Sequence, residues 1–327
     1  MGVKILAIIL IFSVLLSGCG QKAVEPEQPA LSGQKAVEPD TPASPDLELT
    51  IDESFPHVLG LKLSESEFPR LDGSTATIPL GEALSAIIMG KDRAECKEYA
   101  EFSGTNEAYK NLVDGNADLL LVYEMPDDSK KYISTNYSKL ETAPIGRDGL
   151  VFIINSNNSV ENLTAQQIID IYSGEITNWN EVGGEDAPID AYQRNENSGS
   201  QTLMKKLVMK ELPLMEPREN FIVWGMDDII TSVADYDNGH FAIGYNMYYY
   251  VEEMMKNPNI KALSVDGVYP GNDTIASGEY PFVNDFYAVI REQAPEKNSP
   301  EYLLYLWLQT NEGQRLISSQ GYVALRK

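Results

Sequence analysis

Three observations on this chain of 327 residues predict an α/β fold. From about residue 50 onward, short apolar runs alternate with stretches of helical periodicity, the order expected where strands and helices take turns. The helical stretches carry recognisable start and stop residues. Three times a turn of Ser, Thr and Gly stands directly before a helix start. Open α/β sheets gather their ligands at such strand ends.

The chain opens with "MGVKILAIILIFSVLLSGCG", in which Lys4 precedes an apolar run over residues 5–16. That run has the length of a signal-peptide core and is too short to span a bilayer unaided. Ser17 and Gly18 before Cys19 resemble a bacterial lipobox. Residues 1–18 are then a lipoprotein signal peptide, and Cys19 becomes a lipid-modified N-terminus that anchors the protein to the extracytoplasmic face of the cell membrane. An ordinary secretory signal with a chance cysteine is the alternative. The segment "GQKAVEP" follows at Gly20 and repeats at Gly33, within a stretch of Pro, Ala, Ser and Glu nearly free of large apolar residues. Such a composition cannot bury enough surface to offset its ordering entropy, so residues 19–48 read as a flexible tether.

Beyond the tether, strands are predicted at 119–123 ("LLLVY"), 150–155 ("LVFIIN"), 189–194, 241–245 and 286–290. "PLGEALSAIIMG" places Leu80, Ala83, Leu84, Ile87 and Ile88 on one helical face, with Pro79 in the first turn and Gly90 at the end. "TAQQIIDIYSG" opens on a capping-box pair, Thr164 with Gln167, and closes at Gly174. "QTLMKKLVM" sets Leu203, Leu207 and Val208 on one face, and Tyr302, Leu303, Leu306, Trp307, Leu316 and Ile317 mark one long helix or a helical pair. "NMYYYVEEMM", residues 246–255, reads as core packing, and Trp179 and Trp224 read as structural.

A formal net charge of −24 argues against a nucleic-acid partner, which calls for a basic footprint. After processing at Cys19 only Cys96 remains, so no intramolecular disulfide forms, and Cys96 reads as a small buried apolar residue. The two histidines, His57 and His240, lie far apart without zinc-ligand spacing. No Ser-His-Asp arrangement, Walker loop or GxGxxG is present, so neither an enzyme nor a cofactor or metal site is expected.

The three turns are "LDGSTATIPL" with Ser74 and Thr75, "EFSGTNEAY" with Ser103, Gly104 and Thr105, and "QRNENSGSQT" with Ser198, Gly199 and Ser200. A helix N-terminus offers unpaired N–H groups and a positive dipole end to an anion. Arg194, in the third turn, suits bidentate contact with an oxyanion, a surface ion pair with Glu196 or Asp190 being the alternative. Glu196 is then the anomaly. A carboxylate repels a fully deprotonated oxyanion but accepts the O–H of a protonated one, which would favour phosphate over sulfate. The global charge does not prevent anion binding, because at physiological salt charges beyond about 8 Å are largely screened.

With these turns in view, the chain resembles the phosphate-binding lipoproteins of bacterial ABC importers, a periplasmic-binding-protein-like (type II) family often called PstS-like. The third turn is similar to that family's Arg-x-Asp/Glu-x-Ser-Gly-Thr loop. "NLTAQQIIDIYSGEITNWNEVGG", "VDGVYPGNDTIASGEYPF" and "FAIGYN" resemble three further motifs, in the family's order, over roughly residues 70 to 325. The resemblance implies a two-lobed fold with the ligand cleft between lobes, one formed by 49–148 and 247–327, the other by 149–246. It implies inorganic phosphate as ligand, an ABC permease and ATPase complex as partner, a monomer, and hinge closure over the anion. Carried over residue by residue, it assigns Arg194, Glu196, Ser198, Gly199 and Ser200 from one lobe, Ser74 and Thr75 from the other, and Thr105 more loosely. Ser200 stands where the family usually has threonine, which keeps the hydroxyl. The family's other acidic ligand has its counterpart near Tyr123-Glu124, so either Glu124 takes that role or Glu196 alone accepts the ligand's proton. A binder or sensor of another oxyanion (arsenate, sulfate or a molybdate-type anion) and a surface phosphatase are the other readings.

Overall fold

A computed structural model describes residues 58–136, 139–210, 212–217, 221–235, 240–292 and 298–325, all within the compact unit Thr50–Lys327. The leader, Cys19, the tether and His57 lie outside the described residues.

In chain order the elements are β1 (Leu71–Gly73), α1 (Ile78–Met89), α2 (Thr105–Asp114), β2 (Leu119–Val122), α3 (Asp127–Thr135) and β3 (Leu140–Asn155). Then come β4 (Asn162–Leu163), α4 (Ala165–Ser173), β5 (Asp190–Ala191), β6 (Gln193–Arg194), α5 (Gly199–Leu203), β7 (Ile222–Val223), α6 (Met226–Ala234) and β8 (Ala242–Met247). The last are β9 (Ile260–Ala262), β10 (Ser264–Val265), α7 (Asn272–Ser277), β11 (Val283–Arg291), α8 (Pro300–Leu308), α9 (Asn311–Ser319) and β12 (Val323–Ala324). The alternation is that of a mixed α/β protein, as expected. No helix of the described residues is long and apolar enough to cross a membrane.

The main sheet runs β1-β2-β11-β3-β8-β5, with β9 and β12 also paired to β3. β3 organises it. Its first ten residues pair antiparallel with β11, from Leu140↔Arg291 to Gly149↔Val283. From Leu150 onward it pairs instead with β8 and β9. One strand therefore belongs to both halves of the sheet, and the change of partner falls between Gly149 and Leu150. Only the second half, "LVFIIN", was predicted, because Glu141, Thr142, Arg147 and Asp148 interrupt the apolar signal in the first.

The predicted strand at 189–194 is two short strands in different sheets: β5 pairs with β8, and β6 with β7. The reason is local. The Tyr192 N–H still donates to Ile243 O at 2.9 Å, but the Arg194 N–H donates to the Tyr245 hydroxyl at 3.1 Å, which ends the ladder to β8.

The helix signals hold. α1 and α4 end at Gly90 and Gly174, both left-handed, and the Thr164/Gln167 capping box is formed. Leu80, Ala83, Leu84 and Ile88 are buried, whereas Ile87 is exposed, one step around from the core face. α5 runs on as a π-helical segment, Met204–Met209. The C-terminal pattern resolves into a pair, α8 and α9, with Thr310 capping the second by accepting from the Gly313 N–H. Phe152, Tyr172 and Tyr245 are fully buried and pack together, with Tyr172 edge-on to Tyr245 at 5.5 Å. Each such side chain contributes about 1.5–3 kcal/mol by leaving water. Cys96, Trp179, Tyr249 and Tyr250 are buried as expected.

Candidate functional site

One wall of the site begins where β1 ends. The Ser74 N–H donates to Leu121 O at 3.0 Å, tying the turn to the end of β2. Ser74 Oγ lies 2.7 Å from Thr105 Oγ1 and accepts from the Tyr123 N–H at 3.1 Å. Thr105 starts α2, whose N-cap, Gly104, has no side chain to satisfy the first-turn N–H groups. Buried Asp72 holds the preceding turn in place by accepting from Ser103 N at 2.7 Å, Ser103 Oγ at 2.6 Å and Asn111 Nδ2 at 2.8 Å.

The facing wall is built on β6 and α5. Ser198 caps α5 by accepting from the Gln201 N–H at 3.1 Å. Gln201 in turn accepts from the Tyr245 hydroxyl, which holds the Arg194 backbone. The two walls come close: a Cβ on Gly199 would stand 2.7 Å from Thr105 Oγ1. Only a residue without a side chain allows this approach.

Arg194 lies between the walls and is 5 % exposed. Its Nη2 donates to Trp224 O at 2.7 Å, while its Nε and Nη1 are buried without a hydrogen-bond partner. Burial lowers its pKa below the usual guanidinium value, with Tyr245 and Asp228 among the groups acting in the opposite direction. A surface ion pair with Glu196 is therefore not what Arg194 makes.

The cleft between these walls has a volume of about 420 Å³. Ser74, Thr75, Thr105, Arg194, Ser198, Gly199 and Ser200 all line it, so seven of the nine expected ligand residues meet there. The other two do not. Glu124 and Glu196 line a separate pocket of about 360 Å³ beside the cleft. Glu124 accepts from Lys206 Nζ at 2.8 Å, and Glu196 pairs with Lys205. The helical continuation of α5 carries both lysines along that edge, so each carboxylate has a cation as its partner there. As acceptors of a ligand's proton, the role expected of them, both carboxylates would first have to leave these lysines.

Several lining residues escaped the sequence reading. Asn195 and Asn197 flank Glu196 in the quoted turn and were legible there, whereas Glu107 and Tyr123 carried no distinguishing signal. Trp224 was read as structural, yet it is 76 % exposed and lines the cleft. Among the described residues no His, Cys or Lys lines it; hydroxyls, side-chain amides, helix N-termini and one guanidinium supply its donors, and its one carboxylate, Glu107, is paired with Lys110. That donor set suits a small tetrahedral oxyanion.

Residues 74–307 match the family description "PBP superfamily domain". The chain belongs to the PBP superfamily. Among relatives of this superfamily member, the phosphate-binding protein PstS of Staphylococcus epidermidis is 25% identical over 260 residues, 78% of each chain. The phosphate-binding protein PstS of Borreliella burgdorferi is 27% identical over 186 residues, 55% of this chain and 64% of that protein. A crystal structure with bound phosphate, of a protein from Clostridium perfringens described as a phosphate ABC transporter substrate-binding protein, superposes with a TM-score of 0.61. It is 26% identical and covers 78% of this chain and 98% of its own. A phosphate transport receptor from Vibrio cholerae, at 22% identity and a TM-score of 0.56, shares the fold. The two-lobed architecture with a cleft between lobes is that of this superfamily.

Proposed function

We propose that this protein captures inorganic phosphate in the cleft and delivers it to the permease and ATPase of an ABC importer, without chemistry on the ligand. The observation that carries the reading is Arg194, a buried guanidinium with two unpaired donors among the cleft-lining residues. Burying such donors without partners costs about 1–3 kcal/mol each, so a site that retains them is built for an acceptor to come. The named relatives support phosphate as that acceptor. Ser74, Thr75, Thr105, Ser198, Gly199 and Ser200 are the proposed further ligands. The proposed lobes are 49–148 with 247–327, and 149–246. The change of partner along β3 supports the boundary at 148–149, whereas β9 and β10, within 247–327, pair with the second part of β3 and with β4 and so join residues 260–265 to the other lobe. A monomer anchored through acylated Cys19, with a tether over 19–48, completes the reading.

Calorimetric titration with phosphate, arsenate and sulfate tests it. Phosphate and arsenate are expected to bind, and an absence of heat with every oxyanion would end the reading. A second reading is favoured by the placement of Glu124 and Glu196. With those carboxylates paired to lysines, discrimination against a dianion without an O–H is weakened, and sulfate binding within about tenfold of phosphate would make the protein a general oxyanion binder.

Gly199→Ala is expected to lower phosphate affinity about tenfold or more while leaving the melting temperature nearly unchanged, because the added Cβ forces the walls apart without straining the helix start. Unaltered affinity in the same titration would show that the close approach is not needed.

A further inference from the structure

Glu124 directly follows Tyr123, a residue of one cleft wall, and its side chain is 18% exposed. Lys206 sits in the helical continuation of α5, about two turns beyond Gly199 on the facing wall. Their ion pair, 2.8 Å long between residues 82 apart in sequence, thus bridges the same gap that Thr105 and Gly199 nearly close. The surroundings extend the pairing. Asp127 of α3, on the Glu124 side, has its pKa lowered mainly by a hydrogen bond from Lys130, and Lys205 acts in the same direction from the other wall. Lys205 itself holds Glu196.

We propose that Glu124 and Lys206 form an electrostatic latch across the edge of the cleft, positioning residues that set how long a bound anion is retained. The dwell-time role rests on the reading that the cleft holds phosphate; the bridging role does not. Two consequences follow from the geometry. The latch holds the walls together with an attraction of the strength typical of partly exposed pairs, enough to slow opening a few-fold without locking it, and it weakens as salt screens it. Lys206 also neutralises a carboxylate that would otherwise repel an arriving anion.

The test uses the full chain in lipid nanodiscs, with Glu124→Gln, Lys206→Gln and the charge-swapped double variant E124K/K206E. Stopped-flow fluorescence of Trp224 reads phosphate release. Pulsed electron spin distances between labels at Lys131→Cys and Glu185→Cys read the separation of the walls without any ligand. Each single variant is expected to release phosphate about three- to fivefold faster at low salt, with the difference vanishing at high salt, and to lengthen or broaden the label distance. The swapped variant is expected to restore both readouts toward wild type. Wild-type distances in both single variants, or a swap that restores nothing, would overturn the latch. A loss of affinity in Glu124→Gln that Lys206→Gln does not share would make Glu124 a ligand instead. If phosphate fails to bind at all, the phosphate reading fails, and the distance measurement still decides whether the pair holds the walls together.

Discussion

Replacing Arg194 with methionine is expected to abolish phosphate binding and, at the same time, to raise the melting temperature measured without phosphate. The binding loss follows from removing the only guanidinium that lines the cleft among the described residues, with charge-assisted contacts that together are worth about 3–5 kcal/mol, or roughly a thousandfold in affinity. The stability gain follows from the same atoms. Nε and Nη1 are buried without partners, and burial opposes the charge they carry. Methionine fills much of the same volume with no polar atoms to satisfy. The one hydrogen bond lost, from Nη2 to Trp224 O, leaves behind a carbonyl on an exposed residue. A net gain of about 1–3 kcal/mol is the expected balance. Scanning calorimetry beside titration checks it, and a variant that melts lower than wild type would mark Arg194 as part of the scaffold.

The second large effect concerns Asp148, which is 2 % exposed and sits where β3 changes partner. It accepts from the Tyr123 hydroxyl at 2.7 Å, the Gly149 N–H at 2.7 Å and the Tyr249 N–H at 3.2 Å. Burial nonetheless dominates and pushes its pKa up to about 6, against the pull of those hydrogen bonds. A carboxyl whose folded pKa lies above its unfolded value, about 3.9, binds its proton more tightly when folded. Its stabilising contribution is full below about pH 4 and is lost as pH rises through 6. The difference between about 6 folded and about 3.9 unfolded corresponds to about 3 kcal/mol. Carboxylates held low by cations, such as Glu65 by the hydrogen bond from Lys91, act in the opposite sense, so the readout is a difference. Urea unfolding of wild type and Asp148→Asn from about pH 4 to 7 is expected to give curves that converge or diverge by about 3 kcal/mol across that window, with the wild type gaining toward acid. Parallel curves would show that Asp148 does not titrate there.

How much of this was legible beforehand depended on the range of the interactions involved. The Thr164/Gln167 box, the ends at Gly90 and Gly174 and the cap at Ser198 involve residues a few positions apart, and they stand where the pattern put them. The three Ser/Thr/Gly turns were likewise local, and all three contribute to one cleft. Trp224 was misread because burial cannot be assigned to one aromatic residue outside a periodic segment. The first half of β3 was missed because Glu141, Thr142, Arg147 and Asp148 break its apolar run, and its pairing with β11 joins residues far apart in the chain.

By itself, the sequence determined the α/β class, the helix starts and most of the groups that line the cleft, since these follow from backbone propensities and short-range hydrogen bonds. Tertiary structure alone decided which cations the acids beside the cleft pair with. Glu124 and Glu196 read as acceptors for a proton, and the fold brought Lys206 and Lys205 alongside them as partners. It also decided that Arg194 would keep two buried donors unpaired. Both outcomes depend on which charges and dipoles the fold brings within a few ångströms, a distance that separation along the chain does not encode.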